Sequence, residues 1–127
     1  MNKKFRKKTK SRSRGIFSIL EEIEEDYKKD PNDELLDEWI NAQKHFIKLN
    51  KKADVGEIEL ASNYFDLYNL YLKKRDFTNA LRTAKKAQRY ELIAFKQLDQ
   101  SKEDIENVRS IWDKKISMLK KKQTTQS

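Results

Sequence analysis

Residues 54–98 read DVGEIELASNYFDLYNLYLKKRDFTNALRTAKKAQRYELIAFKQL. Two apolar rows recur here at intervals of three and four, the mark of one helix face. The first row holds Val55, Ile58, Tyr64, Phe65, Leu67, Tyr68, Tyr71 and Leu72. The second holds Phe77, Ala80, Leu81, Ala84, Ala87, Phe95 and Leu98. Between them lies Lys73-Lys74-Arg75-Asp76. Its cations suit the negative end of one helix dipole, and Asp76 can cap the next helix. Asp54, with Glu57 three residues later, reads as a capping box that opens the first helix of the pair. The stretch is therefore a helical hairpin.

The same period extends in both directions. Upstream, Ile16, Ile19, Leu20, Ile23 and Tyr27 line one helix, which stops at Asp30-Pro31. Asp30 as cap and Pro31 in the first turn would start the next helix, where a missing N–H costs nothing. That helix runs to about Leu49, with Leu35, Leu36, Trp39, Ile40, Phe46, Ile47 and Leu49 on a broad apolar face. Downstream, Ser101 caps a fifth helix with Ile105, Val108, Trp112, Ile116 and Leu119 inward. Only two Gly and one Pro occur in 127 residues. The expected fold is all-α, a small antiparallel bundle of about five helices spanning residues 16–119. Trp39 and Trp112 are both expected in its core. Residues 1–15 are expected to form a disordered basic arm, and residues 120–127 a polar tail that frays.

The hairpin at residues 61–94 resembles one tetratricopeptide repeat. Tyr64, Leu67, Tyr71, Ala80 and Ala87 sit at the family's spacings, and Arg75-Asp76-Phe77 fits its inter-helix corner. Small Ala residues let two helices approach while large side chains fill the gaps. Tyr68, Ala84 and Leu92 depart from the family's pattern. Leu92 stands where a helix-ending Pro is usual, so the fourth helix runs on. The resemblance implies a scaffold that binds a protein or peptide.

Charge is unevenly placed. Residues 1–15 carry eight Lys or Arg and no acid, residues 16–113 sum to −5, and residues 114–127 add five Lys. Lys3, Lys4, Arg6, Lys7, Lys8, Lys10, Arg12 and Arg14 can neutralise phosphates by counterion release, without reading base sequence. A second basic feature lies on the fourth helix. At 100° per residue, Arg82, Lys85, Lys86, Arg89 and Lys96 share a sector of about 100° over a length of about 21 Å. That sector also holds Ile93 and lies opposite the alanines. Both features point to nucleic acid, DNA or RNA, as partner. The helical body would dock on a protein or on a second copy.

Catalysis has little to draw on. Without cysteine there is no disulfide, thiolate ligand or thiol nucleophile. His45 is the only histidine, and with no Cys or second His it finds no partner for a metal site of that kind. Two glycines cannot build a phosphate-cradling loop. The acidic run Glu21 to Asp26, with Asp33, Glu34, Asp37 and Glu38, has no ligand-spaced His and no Gly-bearing calcium loop. It reads as a solvated face or a mask for the arm. Tyr64, Tyr68 and Tyr71 at helical spacing read as core rather than as a base-stacking platform. Mean hydropathy is −1.03, and the longest apolar cluster, Ile16 to Leu20, is far short of the ~20 residues a membrane span needs. The expectation is a non-enzymatic accessory protein without cofactor, cytoplasmic or associated with nucleic acid and not secreted. The alternative is a tetratricopeptide-like adaptor or chaperone whose basic tails serve solubility.

Overall fold

The computed structural model describes residues 15–126. The arm residues Lys3 to Arg14, with their expected disorder, lie outside that range. The described residues form five helices: α1 (Ile16–Lys29), α2 (Asp33–Lys52), α3 (Glu57–Lys74), α4 (Phe77–Gln97) and α5 (Lys102–Gln126). They pack as an antiparallel bundle in which each helix rests mainly on the helices before and after it in the chain. A groove is left between every second helix.

The core is built where the apolar rows meet. Tyr64, Leu67, Tyr68 and Tyr71 of α3 face Ala80, Ala84 and Ala87 of α4, and all three alanines are completely buried. Alanine leaves no side chain to hold the helices apart, so α3 and α4 make the most intimate pair. Val108, Trp112, Ile116 and Leu119 close the cluster from α5. Leu60, Ala61 and Leu70 are also buried. A smaller cluster of Ile19, Leu20, Ile23 and Ala42 fixes α1 to α2. Trp39 corrects its expected place: it is half-buried at the junction of the two clusters, with its ring tilted against Tyr27 at 5.6 Å. Leu49, Ile58, Phe65 and Leu98, expected inward, are exposed. Leu49 and Leu98 sit at helix ends, whereas Ile58 and Phe65 line the groove over α4.

Buried polar groups tie α2 to α3. Gln43 Nε2 donates to the Asn63 carbonyl at 3.0 Å, and Asn50 Nδ2 donates to Asn63 Oδ1 at 2.6 Å. Among the described residues no buried side-chain nitrogen or oxygen lacks a partner. Burying such groups unpaired would cost about 1–3 kcal/mol each.

The turns show where local chemistry decides. Asp76 and Ser101 cap as expected, accepting from the Asn79 and Asp104 backbone N–H at 3.2 and 3.1 Å. The second helix starts later than expected. Asn32, not Asp30, caps it and accepts from Leu35 N–H at 2.8 Å, so Pro31 stands outside the first turn. Asp30 instead closes α1 by donating its N–H to the Asp26 carbonyl. Asp54 does not open α3 either; the N-cap is Gly56. Asp54 adopts φ 60° and ends α2, with its N–H on Lys51 O and the Val55 N–H on Asn50 O. This is a Schellman closure. Arg75 (φ 62°) repeats it after α3 and Asp99 (φ 60°) after α4. Three successive helices therefore end on a left-handed residue that is not glycine. That conformation costs an L-residue about 1–2 kcal/mol, less for Asp. Asp99→Gly is thus expected to raise stability by up to about 1 kcal/mol, read as a higher urea midpoint at unchanged slope.

The chain end differs from the expected polar tail. Helix α5 continues to Gln126. Its last turns dock on the start of α4: Gln123 Nε2 donates to Thr78 Oγ1 at 3.0 Å, and Lys122 Nζ lies 5.5 Å from the Phe77 ring centroid. No helix among the described residues is long and apolar enough to cross a membrane.

Candidate nucleic-acid interface

The groove over α3 is walled by α2 and α4 and has a volume of about 350 Å³. Its α2 wall carries Lys44, Lys48 and Lys51; its α4 wall carries Arg82 and Lys86. Tyr64, Leu67 and Tyr71 supply the floor, and among the described residues no carboxylate lines it. Helical periodicity explains both walls. Lys44, Lys48 and Lys51 follow at four and three, as do Arg82, Lys86 and Arg89, so each set occupies one helix face.

Two of these cations converge on one aromatic ring. Lys51 Nζ stands 5.4 Å and Lys86 Nζ 5.7 Å from the centroid of the same Tyr64 ring, so the two ammonium groups are at most about 11 Å apart. Tyr90 stacks on Tyr64 with centroids 5.5 Å apart and planes at 6°, and the Arg89 guanidinium lies 5.5 Å from the Tyr90 centroid. Hydrogen bonding with Tyr64 raises the Lys51 pKa above its ordinary value, against opposing effects of burial and of Arg89. Lys51 therefore stays charged well above neutral pH.

Three cations outside the groove are ion-paired. Lys28 is within 4.0 Å of Glu24 and Glu25, Arg109 Nη1 is 2.7 Å from Glu106, and Lys74 bonds Asp37. Among the described residues, Lys44, Lys48, Lys51, Arg82, Lys86 and Arg89 have no carboxylate partner. All six are exposed. An anion reaching the groove meets cations that no internal carboxylate has neutralised.

No family model, curated protein or solved structure matches this chain. The site therefore rests on its own chemistry. Of the basic residues expected on the fourth helix, Arg82 and Lys86 enter the groove and Arg89 adjoins it; Lys85 and Lys96 are exposed but do not line it. Ile93, expected inside the basic sector, is exposed as well. The α2 cations were missed by sequence reasoning. Their signal was the i, i+4, i+7 spacing, which gains meaning only once α2 and α4 are known to flank α3. Tyr64, Tyr68 and Tyr71 are buried, as their spacing indicated.

The other two grooves differ in character. The groove over α2 carries Glu21, Glu24 and Asp66 beside Lys73. Partial burial, with Glu24 adding to it, raises the Asp66 pKa. The groove over α4 is mainly apolar, with Ile58, Phe65, Ile111 and Trp112 around Glu91 and Lys115. His45 is exposed on α2, and no group of three His, Asp or Glu side chains able to hold a metal ion occurs among the described residues.

Proposed function

We propose that this chain is a non-catalytic helical accessory protein that engages nucleic-acid phosphates through its basic arm and the groove over α3. The observation that carries this reading is the set of six exposed, unpaired cations on two facing helices, in a body whose residues 16–113 sum to −5. A body with that net sign does not attract polyanions uniformly; it does so where cations are gathered and carboxylates are absent. The eight arm cations extend the same attraction. The helical body would present its remaining surfaces to a protein partner or a second copy.

Binding is expected to be indifferent to base sequence and steep in salt. About four to eight phosphate contacts on a duplex give a log–log slope of roughly −3.6 to −7. Fluorescence anisotropy across a salt series measures it. Deleting residues 1–14 should flatten the slope while leaving helicity unchanged, and replacing Arg82, Lys86 and Arg89 with Gln should flatten it further for a nucleic acid that enters the groove. Absence of any salt-dependent binding at low ionic strength would overturn the reading. The apolar groove over α4 favours the second reading, an adaptor that holds a peptide through Ile58, Phe65, Ile111 and Trp112. That reading predicts binding that survives high salt.

A further inference from the structure

Resting on the nucleic-acid reading above, we propose that the groove over α3 takes one single-stranded phosphodiester backbone lengthwise, in preference to a duplex. Three features lead there. The first is direction. In an antiparallel bundle α2 and α4 both run against α3, so they run parallel to each other. Lys44, Lys48 and Lys51 therefore form a row pointing the same way as Arg82, Lys86 and Arg89. Both rows have the same four-then-three spacing and a length of about 10.5 Å. Two matched cationic rails make a track for a linear chain of phosphates.

The second feature is width. The Lys51 and Lys86 ammonium groups lie at most about 11 Å apart across the groove. A duplex is wider than its own major groove, which alone is about 12 Å across, so it cannot enter between the rails, whereas one backbone passes between them with phosphates in reach of both sides. A duplex could meet the rails only from outside, by resting the two backbones that flank its roughly 6 Å minor groove on the rims.

The third feature is the floor. Tyr64 is only 5% exposed and its ring is stacked on Tyr90. It shapes the groove and offers the bases no free face of the kind that stacking platforms present. The bases of a bound strand then point to solvent, and the groove holds the backbone without reading sequence.

The full chain is titrated with a labelled oligothymidylate and with a duplex of the same length across a salt series. The variant carries Lys48→Gln, Lys51→Gln and Lys86→Gln. All three residues are exposed, and circular dichroism checks its helicity; should it fail to fold, the double variant Lys51→Gln/Lys86→Gln replaces it. The single strand should bind about tenfold or more tightly than the duplex at equal salt. With about four groove phosphates its slope receives roughly −2.8 from the groove, and removing three contacts should flatten it by about 2. The duplex slope should change much less. Equal affinity for the two forms, or a single-strand slope unmoved by the variant, overturns the inference while leaving arm-mediated binding intact. Failure of both nucleic acids to bind overturns the broader reading and this one with it. A polyglutamate peptide that displaces the oligothymidylate at equal charge concentration would assign the groove to acidic protein segments and also overturn it.

Discussion

Trp112→Ala is expected to lower the free energy of unfolding by about 3–5 kcal/mol. Trp112 is 4% exposed. Its ring meets Tyr68 edge-on at 5.6 Å and Phe65 at 5.8 Å, and its indole N–H donates to Glu91 Oε1 at 2.7 Å. Truncation removes the ring that joins α5 to both α3 and α4, leaves a cavity and strands the Glu91 contact. Because Trp112 belongs to the main cluster, the loss should appear in every probe together: one transition, displaced to lower urea. Trp112→Phe should recover part of it, since an aromatic ring remains while the indole bond is gone. A Trp112→Ala midpoint equal to that of the parent chain would mean that α5 does not pack as described.

Ile23→Ala should cost about 2–5 kcal/mol, but with a different signature. Ile23 is 1% exposed and lies in the smaller cluster, which holds α1 to α2 alone. In an array where each element rests on its chain neighbours, a terminal element can open without the rest. Amide hydrogen exchange in α1 should accelerate by about thirtyfold or more, while the slowest amides of α3 and α4 keep their rates. Uniform acceleration through all five helices would show that α1 and the main core unfold as one unit.

These two substitutions also mark what was legible in the sequence. The apolar rows gave the helices because a buried face must repeat at the helical period, and Ile23 and Trp112 follow that rule. Asp76 and Ser101 were readable as caps because each precedes a new apolar row by about one helical turn or less. Asp54 was not, since an aspartate before a helix and an aspartate closing one look alike; only φ tells them apart. Left-handed closures at Asp54, Arg75 and Asp99 were hidden by the absence of glycine there. Helix α5 outran its apolar row because Gln123 and Lys122 find partners on α4, which no local pattern encodes. Trp39 lies on its expected face, yet the face itself sits at the junction between two clusters.

The groove was half legible. Arg82, Lys86 and Arg89 stand out as a stripe on one helix, but a stripe is only a charged face until something opposes it. Lys44, Lys48 and Lys51 supply the opposing wall, and they reach it through tertiary packing across α3. The missing carboxylates are equally invisible locally, because Glu and Asp are abundant nearby in sequence and are turned to other surfaces or held in pairs with Lys28, Lys74 and Arg109.

Phosphates are expected to bind where the two cationic walls of the groove over α3 face each other. Backbone amide shifts of labelled full-length protein, followed during titration with an oligothymidylate at low ionic strength, test it most directly. The predicted result is a set of perturbations over Lys44–Lys51 and Arg82–Tyr90, reversed by added salt. Perturbations gathered instead around Ile58, Phe65, Ile111 and Trp112, or none among residues 15–126, would contradict it.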